Sequence, residues 1–276
     1  MLEDTFGDII QKARQGLGWT VAQVARAASL SEDTVTCLEG GARPGAPQSD
    51  ALAEALGLGG EKLRAIAEDR YHPRPPGPSL IREVDEIKGY IGSYEVKCYL
   101  FFDAGTREGI LIDTANSPKE VLKRIKDRRI SLRTIVLTHC HHDHVGGVDE
   151  IREESGAKVG IHAGELALYR AHARREPDFF IDASRKIRVG KLYLQAVETP
   201  GHTPGGTTYR SEKLAFVGDA LFAGSTGRSM SPEGYRMLLS SVRERVLTLP
   251  PESALFPGHG PATTVGEEIV HNPFFR

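Results

Sequence analysis

A run of prolines divides this chain of 276 residues into two parts with different sequence patterns. Within six residues stand four prolines, Pro73, Pro75, Pro76 and Pro78. Proline lacks a backbone N–H and fixes its own φ angle, so such a run can neither continue a helix nor lie inside a sheet. It is typical of a stiff, extended linker. We therefore predict a helical domain over residues 1–70, a linker over 71–79 and a second domain over 80–276.

The segment before the linker carries a helical pattern throughout. Apolar residues recur at three- and four-residue spacing, as in Phe6, Ile9 and Ala13. Thr20 and Ser31 each precede such a run, and both are residue types that commonly cap the N-terminus of a helix. The pattern predicts a small all-α domain.

After the linker the pattern changes to short β-rich runs that alternate with helical stretches. The predicted strands cover residues 96–102, 109–112, 134–137, 158–161, 191–197 and 214–217. The predicted helices cover residues 118–127, 164–173 and 232–247. Strands that alternate with helices in one long domain indicate a layered architecture of sheets and helices.

The composition is that of an ordinary globular protein. Apolar residues make up 39% and charged residues 26%, and no stretch approaches the length of a membrane span. Cys37, Cys98 and Cys140 are an odd number of cysteines without CxxC spacing, so we expect no disulfide framework. Together with an N-terminus unlike a signal peptide, this predicts a cytoplasmic protein.

The predicted strand at residues 134–137 runs directly into a histidine-rich segment. Side-chain alternation places His139 and His141 on one side of the chain, so that two imidazoles can reach one metal ion. Asp143 and His144 follow just before a Gly-Gly turn and can address a second ion. These side chains suit zinc, and also iron or manganese. Further candidates lie in glycine or proline turns after β-rich runs, at His202, Asp219 and His259.

The order of these motifs, HxHxDH, GHTPG, GDALF and PGHGP, resembles the metallo-β-lactamase superfamily over residues 80–276. The resemblance implies an α+β fold, a four-layer αββα sandwich, here preceded by the small all-α domain. It also implies two divalent metal ions, with Zn²⁺ favoured over iron or manganese. By this resemblance one ion would be held by His139, His141 and His202, the other by Asp143, His144 and His259, with Asp219 bridging them. Asp113 would orient a ligand histidine from behind.

Such a pair of ions implies a hydrolase. A metal-bridging hydroxide can attack an acyl carbonyl, and Asp143 would act as the catalytic residue that orients the water and handles its proton. The run from Leu221 through Arg228 resembles glyoxalase II-like thioesterases, although Ser229-Met230 replaces the Thr-Asp of many relatives. We therefore predict a thioester or ester substrate rather than glutathione itself. Weaker candidates for substrate contacts are Arg228, Tyr209 and Tyr235.

An oxidative alternative stays open. Persulfide dioxygenases share the fold and much of this motif set, but they hold one iron with two histidines and an aspartate. The complete second set of ligands, including His259, favours the two-metal hydrolase.

Residues 20–39 resemble the helix-turn-helix of phage-repressor-like regulators, with Ala25 at the contact between the helices and Ser31 at the start of the recognition helix. This implies a DNA-binding regulator whose hydrolase-like domain senses a ligand. However, residues 1–68 carry 6 Lys and Arg against 10 Asp and Glu, and DNA affinity needs clustered positive charge. A module for homodimerisation or for covering the substrate site is an equal alternative.

Overall fold

Two six-stranded sheets form the framework of this protein, seen in a computed structural model that describes residues 1–276. The first sheet contains, in this order, β1 (Val84–Ile91), β2 (Tyr94–Phe102), β3 (Glu108–Ile112), β4 (Ser131–Val136), β5 (Lys158–Ile161) and β6 (Phe179–Phe180). The second contains β7 (Lys186–Val189), β8 (Leu192–Glu198), β9 (Thr207–Arg210), β10 (Leu214–Gly218), β11 (Ala254–Pro257) and β12 (Thr263–Thr264). The pairs from β3 to β6 are parallel, as is the pair of β10 and β11.

Eleven helices accompany the sheets. Five precede them: α1 (Phe6–Gly16), α2 (Val21–Ala27), α3 (Glu32–Glu39), α4 (Ala46–Leu56) and α5 (Gly60–Ala67). Four are interspersed among the strands of the first sheet: α6 (Pro118–Arg128), α7 (His142–Val145), α8 (Val148–Ser155) and α9 (Leu166–His172). Two belong to the second half: α10 (Pro232–Arg245) and α11 (Val265–His271). None of them combines the length and apolar character that crossing a membrane requires.

Side-chain alternation along the strands creates the layers. In β2, Tyr99 and Phe101 enter the hydrophobic cluster between the two sheets, whereas Leu100 enters the cluster under α6, α8 and α9. In β10, Phe216 faces the first sheet and Val217 faces the opposite way, towards α10. Because successive side chains of a strand point to opposite faces, each sheet buries both of its faces. The predicted four-layer αββα sandwich of an α+β fold is confirmed.

The N-terminal helices share a core with the second sheet. One hydrophobic cluster of 29 buried residues contains Ile9 of α1 and Leu63 of α5 together with Val217 of β10 and Leu238 of α10. Residues 70–77 run between the helices and the sheets without regular secondary structure. Burying apolar surface contributes about 25 cal/mol per Å². This shared core therefore holds the helical domain firmly against the sandwich.

Helices α2 and α3 form the predicted helix-turn-helix. The Thr20 side chain accepts a hydrogen bond from the backbone of Gln23, and the Ser31 side chain accepts one from the backbone of Thr34, so both predicted caps are confirmed. Between the helices Ser29 adopts a left-handed conformation with φ of 54°. This conformation costs a residue other than glycine roughly 1–2 kcal/mol.

The predicted elements are confirmed, with shifts of a few residues at their ends, but the prediction was incomplete. It missed six strands, of which β6 and β12 have two residues each, and β11 ends in a proline. It also missed α7, α8 and α11. Five of the missed strands have only two to four residues, too few alternating positions for the pattern to stand out, whereas β1 was missed although it has eight residues.

A buried glutamate joins the segment after α5, the last helix and the loop after β10. The Glu268 carboxylate accepts hydrogen bonds from the hydroxyls of Tyr71 and Thr263 at one oxygen. Its other oxygen accepts from the Asn272 side chain and the Gly224 backbone, and all four distances lie between 2.8 and 3.1 Å. Burial raises the pKa of Glu268 to about 7, against the lowering effect of these hydrogen bonds.

The pKa of Glu268 predicts a pH-dependent stability. Between pH 4.5 and about 7 the unfolded chain loses this proton while the folded protein keeps it, so the stability that the group contributes is lost as the pH rises. The cost is about 1.4 kcal/mol for each unit between the two pKa values. Glu268→Gln mimics the protonated acid, since the Tyr71 and Thr263 hydroxyls can turn to accept from its amide.

Denaturant unfolding at pH 5 and pH 8 measures this effect. We compare the free energy of unfolding of each variant with that of the unsubstituted protein. For Glu268→Gln we expect this difference to shift in favour of the variant between pH 5 and pH 8. For Glu252→Gln, at an exposed position, it should stay the same. An equal difference at both pH values would show that the carboxyl is already ionised in the fold.

Candidate metal centre

The predicted metal ligands follow the carboxyl ends of strands and meet at one end of the sandwich. In the first sheet, β4 leads into the segment His139–His144. In the second sheet, the loops after β8, β10 and β11 carry His202, Asp219 and His259. Functional side chains on loops above a rigid scaffold are the usual arrangement of such sites.

Two glycines allow these loops to approach each other. A Cβ on Gly218 would lie 2.3 Å from the Thr138 hydroxyl, and a Cβ on Gly258 would lie 2.4 Å from Asp219 Oδ1. Gly218 also has a left-handed φ of 50°, which only glycine adopts at little cost. The loops after β4, β10 and β11 can therefore pack in direct contact.

The ligand atoms form two groups of three with one aspartate between them. His139, His141 and His202 offer three nitrogens within 4.8 Å of one another. Asp143, His144 and His259 offer a carboxylate oxygen and two nitrogens that also lie within 4.8 Å of one another. His141 Nδ1 faces His202 Nε2 at 3.0 Å, and Asp143 Oδ2 lies 3.2 Å from His259 Nε2.

Asp219 lies between the two groups. Its Oδ1 is 3.3 Å from His144 Nε2, and its Oδ2 is 3.6 Å from both His202 Nε2 and His259 Nε2. The carboxylate therefore faces one member of the first group and two of the second. This is the position that a bridging ligand requires.

Contacts behind the histidines orient four of the rings. His139 Nδ1 lies 3.1 Å from the Thr138 hydroxyl, and His144 Nδ1 lies 2.9 Å from Asp113 Oδ2. The second nitrogens of two others contact backbone carbonyls at 2.7 Å, Arg228 behind His202 and Glu95 behind His259. Such partners fix the ring orientation and leave the remaining nitrogen directed at the centre.

Asp113 holds its position with a strained backbone. Its φ of 59° is unusual for an aspartate, and it is almost completely buried. Besides His144, its carboxylate accepts hydrogen bonds from the backbone and the hydroxyl of Thr138 at 2.7 and 2.8 Å. Asp113 thus lies behind a candidate ligand, as the sequence predicts for it.

Three buried polar atoms at the centre have no hydrogen-bond partner in the protein. They are His139 Nε2, His144 Nε2 and Asp219 Oδ1. Leaving such groups unpaired costs roughly 1–3 kcal/mol each. Nitrogen and carboxylate oxygen atoms that converge without partners fit divalent cations such as zinc or iron.

The protonation states of several groups also suit metal ligands. Burial, together with His144, lowers the pKa of His139 well below its ordinary value, so this ring is neutral. The histidines around Asp219, His259 foremost, lower the pKa of its carboxyl well below the usual range, against the raising effect of burial. Neutral imidazole and ionised carboxylate are the forms that bind metals.

The pKa values of His144 and His259, on the other side of the centre, are raised. Burial alone would lower the pKa of both His144 and His259, but the raising effects of their hydrogen-bond partners and neighbouring carboxylates, Asp219 foremost, together outweigh it. The pKa of His259 rises to about 9. A metal ion would displace the protons of these rings, since a coordinated histidine must be deprotonated.

Glu165 clamps two ligand-bearing loops together, and the sequence pattern did not reveal it. Its buried carboxylate accepts hydrogen bonds from the backbone N–H of Cys140 at 2.8 Å and of Gly205 at 2.7 Å. Cys140 lies between His139 and His141, and Gly205 follows His202. No motif surrounds Glu165, because its partners are backbone groups that any residue provides.

Three further residues near the centre differ in burial and in whether they line the cavity. Cys140 is completely buried, in line with a packing role. His142 is exposed and lines the cavity beside the centre, with its ring 5.5 Å from that of His172. Arg228 lines the same cavity.

The two tyrosines lie elsewhere. Tyr209 is completely buried between the sheets, where its hydroxyl donates to the Leu137 carbonyl at 2.7 Å. Tyr235 packs in the core shared with α1, near Phe274. Neither residue lines the cavity. The structure therefore removes both from the candidate substrate contacts.

Comparisons with known proteins agree with the fold and the site. Residues 92–259 match the Metallo-beta-lactamase superfamily, and residues 5–66 match a Helix-turn-helix domain. The first match spans more than half of the chain. The chain therefore belongs to the metallo-beta-lactamase superfamily and carries an additional N-terminal helix-turn-helix domain.

Individual relatives differ in their activities. The chain is 28% identical over 203 residues to the hydroxyacylglutathione hydrolase GloC of Haemophilus influenzae, covering 67% of this chain and 95% of GloC. It is 33% identical over 208 residues to the mitochondrial persulfide dioxygenase ETHE1 of Homo sapiens, covering 71% of this chain and 76% of ETHE1. The crystal structure of TTHA1623 in a di-iron-bound form superimposes with a TM-score of 0.56 and 31% identity, over 68% of this chain and 100% of that one.

The Glu165 clamp predicts a loss of metal affinity on substitution. Glu165→Ala leaves two buried N–H groups without acceptors and loosens the loops that carry His139, His141 and His202. We expect metal affinity to fall by roughly 10–100-fold, the usual effect of removing a contact behind the ligands. Competition with a chromophoric chelator measures this affinity.

Glu154→Ala, at an exposed position in α8, is the matched control and should bind metal normally. Thermal melting in excess chelator shows whether the apoprotein still folds. Unchanged affinity in a folded Glu165→Ala protein would mean that the clamp does not position the ligands.

Proposed function

We propose that this protein is a dinuclear metal-dependent hydrolase of thioester or ester substrates, with zinc as the favoured metal. The observation that carries the proposal is the pair of three-residue ligand groups with Asp219 between them. The similarity to GloC, a hydroxyacylglutathione hydrolase, supports the thioester class. In this proposal His139, His141 and His202 hold one ion, Asp143, His144 and His259 hold the other, and Asp219 bridges them.

The chain's own residues supply the remaining parts of the reaction. Bound in this site, two divalent cations would provide a hydroxide at neutral pH and stabilise the negative charge that develops on the attacked carbonyl oxygen. The hydrogen bond with His259 lowers the pKa of Asp143 against the effect of burial, so its carboxylate stays ionised. Half-buried at the cavity wall, it can orient a water molecule and accept its proton.

Metal analysis combined with turnover tests the proposal. We expect two metal ions per chain and hydrolysis of some members of a thioester panel, followed by release of free thiol. A chelator should abolish turnover and added Zn²⁺ should restore it. Asp219→Asn should reduce turnover by more than about a hundredfold. Loss of a contact behind the ligands typically costs about 10–100-fold, and loss of a ligand itself should cost more.

Asp182→Asn, which changes an exposed aspartate in the same chemical way, should retain both metal and turnover. A protein with two metal ions and no activity on any thioester or ester would refute the hydrolase proposal.

A mononuclear iron persulfide dioxygenase is the second candidate, favoured by the 33% identity to ETHE1. The same metal analysis separates the two candidates. One iron per chain, with oxygen uptake on a persulfide, would support the dioxygenase.

A DNA-binding regulator is the third candidate, favoured by the helix-turn-helix match. The charge of α3 opposes it, since Glu32 and Asp33 are exposed at its start and the helix contains no Lys or Arg. Non-specific DNA binding depends on phosphate contacts by basic side chains.

Fluorescence anisotropy with labelled duplex DNA tests the regulator. We expect no binding by the full-length protein at physiological salt, and stronger binding at low salt only after Glu32→Gln and Asp33→Asn remove the repulsion. Salt-dependent binding by the unsubstituted protein would instead establish the helix-turn-helix as a DNA reader.

A further inference from the structure

Helix α1 of the N-terminal domain contacts the loop that joins β10 to α10. The Lys12 ammonium donates a hydrogen bond to the Thr226 carbonyl at 2.8 Å. The same helix carries Gln11 and Gln15, whose side-chain oxygens accept hydrogen bonds from the Arg228 guanidinium. Residues 226–228 are therefore held by a helix that lies more than two hundred positions earlier in the chain.

The contact made by Lys12 is charged and buried. Lys12 is 7% exposed and forms an ion pair with Asp4, which is 8% exposed. Its ammonium also lies 4.7 Å from the centre of the Phe222 ring, in the same loop. Hydrogen bonds from a charged donor are roughly twice as strong as neutral ones, and a buried ion pair is costly to separate. These contacts join α1 firmly to the loop.

The same part of the loop touches the candidate ligand His202. The Arg228 carbonyl lies 2.7 Å from His202 Nδ1, and the Ser229 hydroxyl donates to the carbonyl of the preceding Gly201 at 2.7 Å. Packing here is close, because a Cβ on Gly227 would lie 1.9 Å from the Asp219 carbonyl and 3.2 Å from His202 Nδ1. A shift of residues 226–228 would therefore displace or turn the His202 ring.

His202 differs in this respect from the other three histidines that have a contact behind the ring. Their partners, Thr138, Asp113 and Glu95, lie in strands of the first sheet or directly after them. Arg228, by contrast, has its side chain fixed by the N-terminal domain, which lies outside the residues 92–259 matched to the superfamily. Helix α1 therefore acts on the ligand group that contains His202.

We infer that α1 is part of the support of the metal centre: Lys12, Gln11 and Gln15 position residues 226–228, and the Arg228 carbonyl in turn orients His202. The inference rests on the proposed function, which assigns His202 to the first ion. Coupling between two sites is reciprocal, so a bound ion holds α1 in place by the same factor by which α1 strengthens metal binding. The helix-turn-helix domain thus responds to whether the first metal site is filled.

Metal affinity tests the inference without turnover. In the full-length protein, Lys12→Met removes the hydrogen bond to Thr226 at a similar side-chain volume. We expect the Zn²⁺ affinity of one of the two sites to fall by roughly 10–100-fold, as for other contacts behind a ligand, while the other site is unchanged. Competition with a chromophoric chelator measures both affinities. Gln11→Leu combined with Gln15→Leu leaves the Lys12–Asp4 pair intact and should lower the same affinity, even if Lys12→Met fails to fold.

Lys62→Met is the matched control. Lys62, in α5, also joins the N-terminal domain to backbone carbonyls of the second half, those of Ile269 at 2.7 Å and of Phe275. Neither of these two residues lines the cavity beside the metal centre. Lys62→Met should therefore bind both ions normally. An equal loss of affinity in Lys62→Met and Lys12→Met would overturn the inference, because it would reflect a general loosening of the domain.

Two further backgrounds assign the effect to one site. His202→Ala removes a ligand of the first ion, and His259→Ala removes a ligand of the second. Lys12→Met should weaken binding of the ion that remains in His259→Ala and should leave the ion that remains in His202→Ala unaffected. The reverse pattern would contradict the route through His202.

Hydrogen exchange tests the reciprocal effect. Zn²⁺ should slow amide exchange in α1 of the unsubstituted protein, and Lys12→Met should reduce this slowing. In α6, which packs in a different hydrophobic cluster, the slowing should be the same in both proteins. An equal effect of Zn²⁺ on α1 in both proteins would mean that the helix and the metal site are not coupled.

These measurements separate the inference from the proposed function. A folded Lys12→Met protein that binds both ions with unchanged affinity would overturn the inference, while the hydrolase proposal would stand. Metal affinity that depends on Lys12, in a protein that hydrolyses no thioester or ester, would support the inference and refute the hydrolase.

Discussion

The architecture depends on a group of polar atoms that the protein buries and does not satisfy. Two imidazole nitrogens and one carboxylate oxygen, on His139, His144 and Asp219, point into the junction of the two sheets without a partner. A bound cation would offset the cost of burying them. The close loops after β4, β10 and β11, the strain at Asp113 and the Glu165 clamp all serve to hold these atoms in convergence.

Around this centre, the strands position the candidate ligands, and other elements line the cavity. The strands bury both faces, so their ends are fixed, and the ligands project from those ends. The opening of the cavity is built differently, from the β1–β2 hairpin, the loop after β10 and the N-terminal helix. The candidate metal site therefore lies on the sandwich that the superfamily shares, whereas the cavity beside it is also lined by the N-terminal helix, which lies outside the residues matched to the superfamily.

The candidate ligands could be selected from the sequence because each lies in a short motif of residue types that bind metals, and the structure brings them together. The sequence predicted the longer strands except β1, and of the strands of two to four residues it predicted only β5. Glu165 could not be predicted, since it acts through backbone N–H groups. Nor could the contacts of Gln11 and Lys12, which join residues more than two hundred positions apart. Tyr209 was a predicted substrate contact but lies between the two sheets. The sequence pattern does not tell which face of β9 packs there.

The continuous core between the helical domain and the second sheet bears on how the protein is made. Helices α1 to α5 are synthesised before their apolar partners in β10, α10, Phe274 and Phe275, which lie much later in the sequence. Contacts of such long sequence separation form slowly. The nascent helices must therefore keep an apolar surface exposed until these partners have been synthesised, and such a surface favours aggregation.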